Sequence, residues 1–479
     1  MVVAWVAEEF KELKLGDKRL DKRFLRVMSG LAGGPNRSIP ETCRGKREVD
    51  AAYELFKNPK VTPEKVLEAH LQATKQRISQ EKRVVVAQDT TELDLTRPEQ
   101  QVAGVGYLDN PARRGLYAHI AHAFTCEGVP LGTTFIKTWT RSGEEWSVSS
   151  EERRKKRKAA SIETKESYRW IEGFRAVAAL AQECPNTEFV CVADSEADIY
   201  QLFLEHEKAP GVLLLVRACH NRVAKDDSGN IAFLKDFLNE APVCLQYEVV
   251  VREREAKTTC EKRPRRQSRL QRKAVLEVCA ASVTLQPPKQ HSRDCPAIRI
   301  NAVLVCERDA PAGEEPVEWI LLTNFPIDTA QQVAEVVDLY CLRWQIEVYF
   351  RTLKEGCRVE KRRFEYLDRY RNFLAVAMVL AWRVLYLSRM GDTCPDISCE
   401  AIFEPSEWKA VWTVLKGEPP PAEPPKVNEM VRMVARLGGY VDYKNRQDRP
   451  GPQTLWRGLQ RMSDLSWGWD VFGPEARSG

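Results

Sequence analysis

Apolar positions recur at helical spacing through residues 1–75, in "DKRLDKRFLRVMSGLA", "REVDAAYELFKNP" and "TPEKVLEAHLQATKQRI". Asn58-Pro59 and Thr62-Pro63 punctuate the last two, so this stretch predicts a small, basic, all-helical unit. The period then changes. "KRVVVAQDTTELDL" is a β-branched run ending in Asp89, and "GLYAHIAHAFTCEGVPLGTTFIKTWTR" predicts two strands joined by a turn at "CEGVPLG". "TEFVCVADSEADIYQLFLEH" predicts a buried strand that ends at Asp194 and runs into a helix, and "GVLLLVRACHNR" predicts a further buried strand. Strands dominate from about 229 to 325, separated by polar, Arg-rich turns such as "EKRPRRQSRLQRK". Beyond 370 the pattern is helical again, interrupted by the Pro-rich "KGEPPPAEPP" and bent at an "LGGY" turn. The predicted organisation is a helical domain (1–75), a mixed α/β core (76–228), a β-strand insertion (229–325), the last helix of that core (326–370) and a helical C-terminal domain (371–479).

"DLYCLRWQIEVYFRTLKEG", Asp338 to Gly356, predicts one long helix with two faces. At 100° per residue, Leu339, Leu342, Ile346, Phe350 and Leu353 form a core-facing stripe. Roughly opposite, Tyr340, Arg343, Glu347, Arg351 and Lys354 line up as a second stripe: one acid among cations and a phenol. Trp344 falls about 40° from that stripe.

Composition narrows the class. The chain has 479 residues, 43% hydrophobic and 29% charged, and its net charge is +5. That size allows two to four domains. Cations concentrate in "LGDKRLDKRFLRV", "CRGKREV", "EERRKKRKAA" and "EKRPRRQSRLQRK" while acids are dispersed, which favours an extended polyanion as partner. The 14 cysteines form no C-x-x-C and several fall in apolar strands, so buried free thiols in a reducing cytoplasm are expected rather than zinc or disulfides. No apolar run approaches the roughly 18 residues of a membrane span, and "MVVAWVAEEFKELKL" lacks the charged-then-apolar order of a secretory signal.

Asp89 and Asp194 each end a buried run, where a carboxylate is costly unless paired or metal-bound. Strand ends of that kind are where open α/β sheets place their sites. Two such aspartates and a helix-borne Glu347 can hold two Mg²⁺ ions about 4 Å apart for in-line phosphoryl transfer. Each acid also has a simpler reading: Asp194 as a helix cap, Glu347 as the ion-pair partner of Arg343 and Arg351. Cations flanking the glutamate suit a phosphodiester substrate, with Arg343, Arg351, Lys354 and the Tyr340 hydroxyl on adjoining phosphates.

Tyr340, Arg343, Glu347 and Lys354 reproduce Y-x2-R-x3-E-x6-K, and in this the chain resembles the DDE transposases of the insertion-sequence-four family. "AQDTT", "DSEADIYQLF", "VEWILLTNFP", "ARLGGYVD", "LGDKRL" and "AAYELFKNP" match in order, so the resemblance covers nearly the whole chain. It implies an RNase H-like (retroviral-integrase-like) α/β core interrupted by a β-strand insertion, with Asp89, Asp194 and Glu347 as the metal-binding catalytic triad. It further implies Mg²⁺, two ions, with Mn²⁺ able to substitute. Tyr340, Arg343, Lys354 and Arg217 would contact phosphates at the transposon end. Trp319 would stack on a base flipped out when that end forms a hairpin. Trp344 can pack against DNA, and Lys18, Arg19, Lys22 and Arg23 are candidate contacts to the terminal inverted repeat. The C-terminal helices would form a homodimer, each core cutting the end held by its partner. Ser195 departs from the family pattern, standing where an arginine occurs.

The expected activity is cut-and-paste transposition on double-stranded DNA, both transposon ends and target, in the bacterial cytoplasm at the nucleoid and with no membrane partner. A catalytically silent DNA-binding or dimerising regulator and a metal-dependent nuclease without strand transfer are the alternatives. Serine or tyrosine recombinase chemistry needs arginines and histidines around a nucleophile, and the six histidines show no such pattern.

Overall fold

A computed structural model describes residues 2–43, 45–143, 149–253, 268–288, 295–441 and 449–474. Residues 261–267 of the Arg-rich turn and 442–448 of the C-terminal tail lie outside the described residues. The chain divides into two compact units, one of Met1–Val84, Asp89–Ala159 and Trp344–Gly479, the other of Val85–Gln88 and Ala160–Arg343.

The second unit is built on a mixed sheet. Val85–Gln88 of strand β1 (Arg83–Asp94) lies beside β5 (Glu188–Ala193), and β5 pairs in parallel with β6 (Val212–Arg217) in the register Phe189↔Val212 to Ala193↔Val216. These strands are near-continuous apolar runs because both faces are covered. From β6 outward every pairing is antiparallel. β12 (Glu318–Thr323) joins β6 at Leu321↔Arg217, followed by β11 (Ile298–Glu307) and β10 (Arg272–Leu285). β9 (Val243–Val251) and the short β7 (Val223–Lys225) and β8 (Ile231–Phe233) complete it. The strands expected as an insertion therefore extend the same sheet through β12.

The helix Ala330–Leu342 buries Val333, Val336, Val337, Leu339 and Tyr340 in a core with Val190, Val192, Leu215, Val303 and Leu321. Thr329 and Gln332 cap it reciprocally, each side chain bonding the other's backbone N–H.

The first unit holds the remainder of β1 with β3 (Arg114–Thr125), which pairs with β4 (Pro130–Trp139) and with β2 (Gly106–Tyr107). The helix Leu367–Thr393 runs through this unit. By length and composition that helix could cross a membrane, although charged residues interrupt its apolar run, but 72% of its most apolar window is buried inside the protein. It is a core helix. Its Trp382 indole donates to the Pro130 carbonyl at 2.9 Å.

At the C-terminal end the helices Pro405–Lys416, Val427–Leu437 and Pro452–Phe472 share a core of Trp408, Val411, Met430, Val434, Leu455 and Trp456. The last two helices touch backbone to backbone at Gly458, where a β-carbon would collide with the Val434 carbonyl. The described cysteines are all free thiols.

Candidate active site

In the second unit, β5 delivers Asp194 and its parallel neighbour β6 delivers Arg217 at the same end of the sheet, since Ala193 is paired with Val216. Asp194 is half-buried and caps the turn Ser195–Ala197, its Oδ1 accepting from the Glu196 N–H at 2.8 Å. The capping role anticipated for it is real, and it occupies that oxygen alone among the hydrogen bonds described.

β12 brings Trp319 to the same region, because Arg217 is paired with Leu321 two residues along. The half-buried indole packs on Tyr340, ring centroids 5.9 Å apart at 50°. Arg343, the C-cap of the helix Ala330–Leu342, sets its guanidinium 5.9 Å from the Tyr340 ring. Tyr340 is 7% exposed, so it is not the open member of a polar stripe that the sequence predicts. Burial raises its phenol pKa, Arg343 and Arg217 pull it back, and Asp194 pushes it up again. Asp194, Arg217, Trp319, Tyr340 and Arg343 thus form one group.

The neighbouring acids have structural partners. Glu196 pairs with Arg169 at 2.6 Å. Asp198 is buried. Its Oδ2 accepts from the Cys219 and His220 N–H groups at 2.8 and 2.9 Å, and its Oδ1 accepts from Arg222. Asp198, Cys219 and His220 have the proximity of a metal site, with ligand atoms within 4.8 Å. Both Asp198 oxygens are already committed, so the cluster is a structural ion pair.

In the first unit, Asp89 is half-buried and its Oδ1 accepts from the Thr90 N–H at 2.7 Å. Thr90 is in turn tied to His119 Nδ1 at 2.9 Å. The helix predicted over 338–356 is interrupted: one helix ends at Leu342, a second spans Trp344–Arg351, and Thr352–Gly356 widens into a π-turn. The apolar stripe is nevertheless correct, with Ile346, Phe350 and Leu353 buried. Tyr349, which the stripe omits, is fully buried and donates to the Met378 carbonyl at 3.2 Å, fixing the rotation of the helix that carries Glu347. Glu347 is half-buried, Arg351 exposed and Trp344 59% exposed. Lys354 is half-buried on the π-turn, its Nζ 4.0 Å from Glu360 Oε1. π-turns of this kind recur at functional sites.

Lys18, Arg19, Lys22 and Arg23 are all exposed on the helix Lys18–Ala32, which Asp17 caps through the Arg19 N–H at 2.8 Å. Asp89 and Glu347 belong to the first unit and Asp194 to the second. As a donor set, half-buried carboxylates suit a hard divalent cation such as Mg²⁺ or Mn²⁺. Glu360 is absent from the sequence-based candidates, although the signal that marked Glu347, one acid among cations, is also present in "RVEKRR".

Comparison with known families gives three matches: a transposase DNA-binding model over residues 3–61, a transposase DDE domain over 171–382 and a transposase Tn5 dimerisation domain over 379–470. The chain is a DDE transposase, its DDE domain built on the mixed sheet, with helical segments before and after it in the sequence. Within the class it belongs with the transposases that resemble that of Tn5. DDE domains work with divalent metal ions. Among solved structures, a piggyBac transposase synaptic complex with hairpin DNA is similar at 10% identity and a TM-score of 0.35, over 82% of this chain and 73% of that one. That likeness is too slight to bear on function.

Proposed function

We propose that the protein is an active cut-and-paste transposase. It binds the terminal inverted repeats of its element as a homodimer at the nucleoid, frees each end through a DNA hairpin, and joins the 3′ ends to target DNA. The observation that supports this most is the group at one end of the sheet: a carboxylate, two guanidinium groups, a phenol and an indole, gathered from β5, β6, β12 and one helix. A fold has no internal need for that mixture at a strand end, whereas a phosphodiester substrate uses each member.

In this mechanism Asp89, Asp194 and Glu347 would hold the divalent ions, which would supply Lewis-acid activation of the attacking and leaving oxygens. Arg343 and Arg217 grip phosphates with fixed, forked donors, while Lys354 acts as a point charge on an adjoining one. The Tyr340 hydroxyl, kept protonated by burial, donates to the strand. Trp319 receives the base that a tight hairpin forces from the stack, and its packing on Tyr340 preorganises that face. Exposed Trp344 and Arg351 extend the DNA-facing surface from the Glu347 helix, and Lys18, Arg19, Lys22 and Arg23 grip the repeat.

Glu347→Ala should abolish nicking, hairpin formation and strand transfer on DNA bearing the element's own repeats in Mg²⁺, while end binding by gel shift persists. Equal loss of binding would contradict the metal-site role. Binding without any cleavage by the unaltered protein would identify a silent regulator, and cleavage without joined products a nuclease.

A further inference from the structure

We infer that Glu360 is a positioning residue that fixes Lys354 for its phosphate, an inference that rests on the phosphate-contact role of Lys354 proposed above. The backbone arrangement that presents Glu360 is unusual. Arg358 is the only non-glycine among the described residues with positive φ, at 50°. Side-chain-bearing residues adopt this left-handed conformation at an energetic cost, and such strain persists where the surroundings impose it. Arg358 reverses the chain after the π-turn and starts the short 3₁₀ helix Val359–Lys361. Val359 is buried and anchors that helix, leaving Glu360 half-buried beside it.

From there one carboxylate oxygen serves two groups. Glu360 Oε1 accepts from the Asp94 N–H at 3.0 Å, at the end of the strand that also bears Asp89, and stands 4.0 Å from Lys354 Nζ. The Glu360 carbonyl accepts from Arg97 at 2.9 Å, and Arg97 also donates to the Arg362 carbonyl at 3.0 Å, so the turn cannot easily swing away. Asp94 is itself held by Thr96 and Arg113. Glu360 is therefore a charge on a rigid mount, tied to a strand end on one side and facing a flexible ammonium on the other.

The separation from Lys354 matters. At 4.0 Å, with both side chains 30% exposed, the pair attracts without a short hydrogen bond. The ammonium keeps donors for a phosphate, while its long stem loses much of the freedom it would otherwise surrender on binding DNA. A lysine without such a partner would sample many rotamers, and misplacement of a positioning group costs rate more than affinity.

Glu360→Gln separates this role from a purely structural one, because the amide oxygen still accepts from the Asp94 N–H while the charge facing Lys354 is gone. The measurement is single-turnover cleavage of a pre-bound transposon end by the full chain in Mg²⁺, for wild type, Glu360→Gln, Lys354→Ala and the double variant. Glu360→Gln should cleave about tenfold more slowly, with melting temperature unchanged and end-binding Kd weakened by less than the rate falls, and should slow Lys354→Ala no further. Wild-type cleavage by Glu360→Gln alongside a slow Lys354→Ala overturns the inference alone. Equal slowing in both backgrounds also overturns it, since Glu360 would then act without Lys354. Wild-type cleavage by Lys354→Ala removes the phosphate contact itself, and this inference with it. Should the glutamine weaken folding, Glu360→Asp replaces it in the cycle, and because it also withdraws the oxygen from the Asp94 N–H, only slowing that is absent in the Lys354→Ala background supports the inference.

Discussion

His70 shows how one side chain can be confined to one protonation state. It is fully buried; its Nδ1 faces Glu9 Oε1 at 2.5 Å and its Nε2 accepts from the Thr133 N–H at 3.1 Å. Nε2 must therefore keep its lone pair, so Nδ1 carries the proton and the ring is neutral. Burial lowers the His70 pKa against the pull of Glu9, with Arg77 acting in the same direction as burial. Burial likewise puts His122 well below the ordinary histidine range, aided by the Arg77 charge. Burial would raise Glu9, but His70 and a bidentate Arg77 outweigh it and hold the carboxyl at about 2. Gly132 completes the packing, since a β-carbon there would collide with Thr74 and press on His70.

The sign of the pH dependence follows. An unfolded histidine takes up its proton near pH 6.5 while these buried ones refuse it, so stability is full above that pH and falls as pH drops below it. Each histidine contributes a slope of up to about 1.4 kcal/mol per pH unit, roughly 2.7 for the two. The Glu9 contribution disappears only lower, as pH falls from 4.5 toward 2. Denaturant unfolding at pH 7, 6 and 5 should show the decline, and His122→Phe should make it shallower. A flat profile over that range would mean that these rings are not buried neutral.

At the level of elements, the helix Lys18–Ala32 turns Leu20, Phe24, Met28 and Leu31 inward and leaves Lys18, Arg19, Lys22 and Arg23 in solvent. If these cations neutralise phosphates, each phosphate left without its cation takes about 0.9 off the slope of log K against log salt. Lys18→Ala with Arg19→Ala should weaken end binding and flatten the salt dependence by between one and two such steps, measured by fluorescence anisotropy across a salt series. An unchanged slope would move recognition to another element. The helix itself was legible because its 3.6-residue period and its Asp17 cap agree. The helix around Glu347 was legible only in part. Its apolar stripe predicted the buried side correctly, but an ideal 100° progression cannot foresee a break at Arg343 or a π-turn at Thr352–Gly356. Tyr340 departs from its stripe for a related reason: periodicity assigns a face, while burial depends on what packs there, here Trp319 from a distant strand.

For the whole molecule, motif spacing made the class readable, because Y-x2-R-x3-E-x6-K ties four side chains to one local segment. The partners that tune them were not readable. Glu360 and Asp94 are 266 positions apart, and nothing local in either segment records that their groups meet. Assembly poses a similar problem, since a surface that waits for a second copy looks like any amphipathic helix in one chain. The helix Pro452–Phe472 fills its inner side with Leu455, Trp456, Leu459 and Met462, yet exposes Trp467 by 56% and Phe472 by 71%. If the proposed homodimer uses this helix, these exposed apolar groups belong to the surface that meets the second copy, and the dimerisation match over 379–470 includes the first of them. Trp467→Ser with Phe472→Ser removes apolar area from that surface without touching the inner core, so folding should be preserved. Single-end complexes should form with unchanged affinity, whereas paired-end complexes and joined products should fall at least tenfold, the equivalent of about 1.4 kcal/mol of weakened association. Sedimentation of the protein with labelled ends measures both species together, and paired-end complexes at the wild-type level would place the dimer contact on another face of the C-terminal helices.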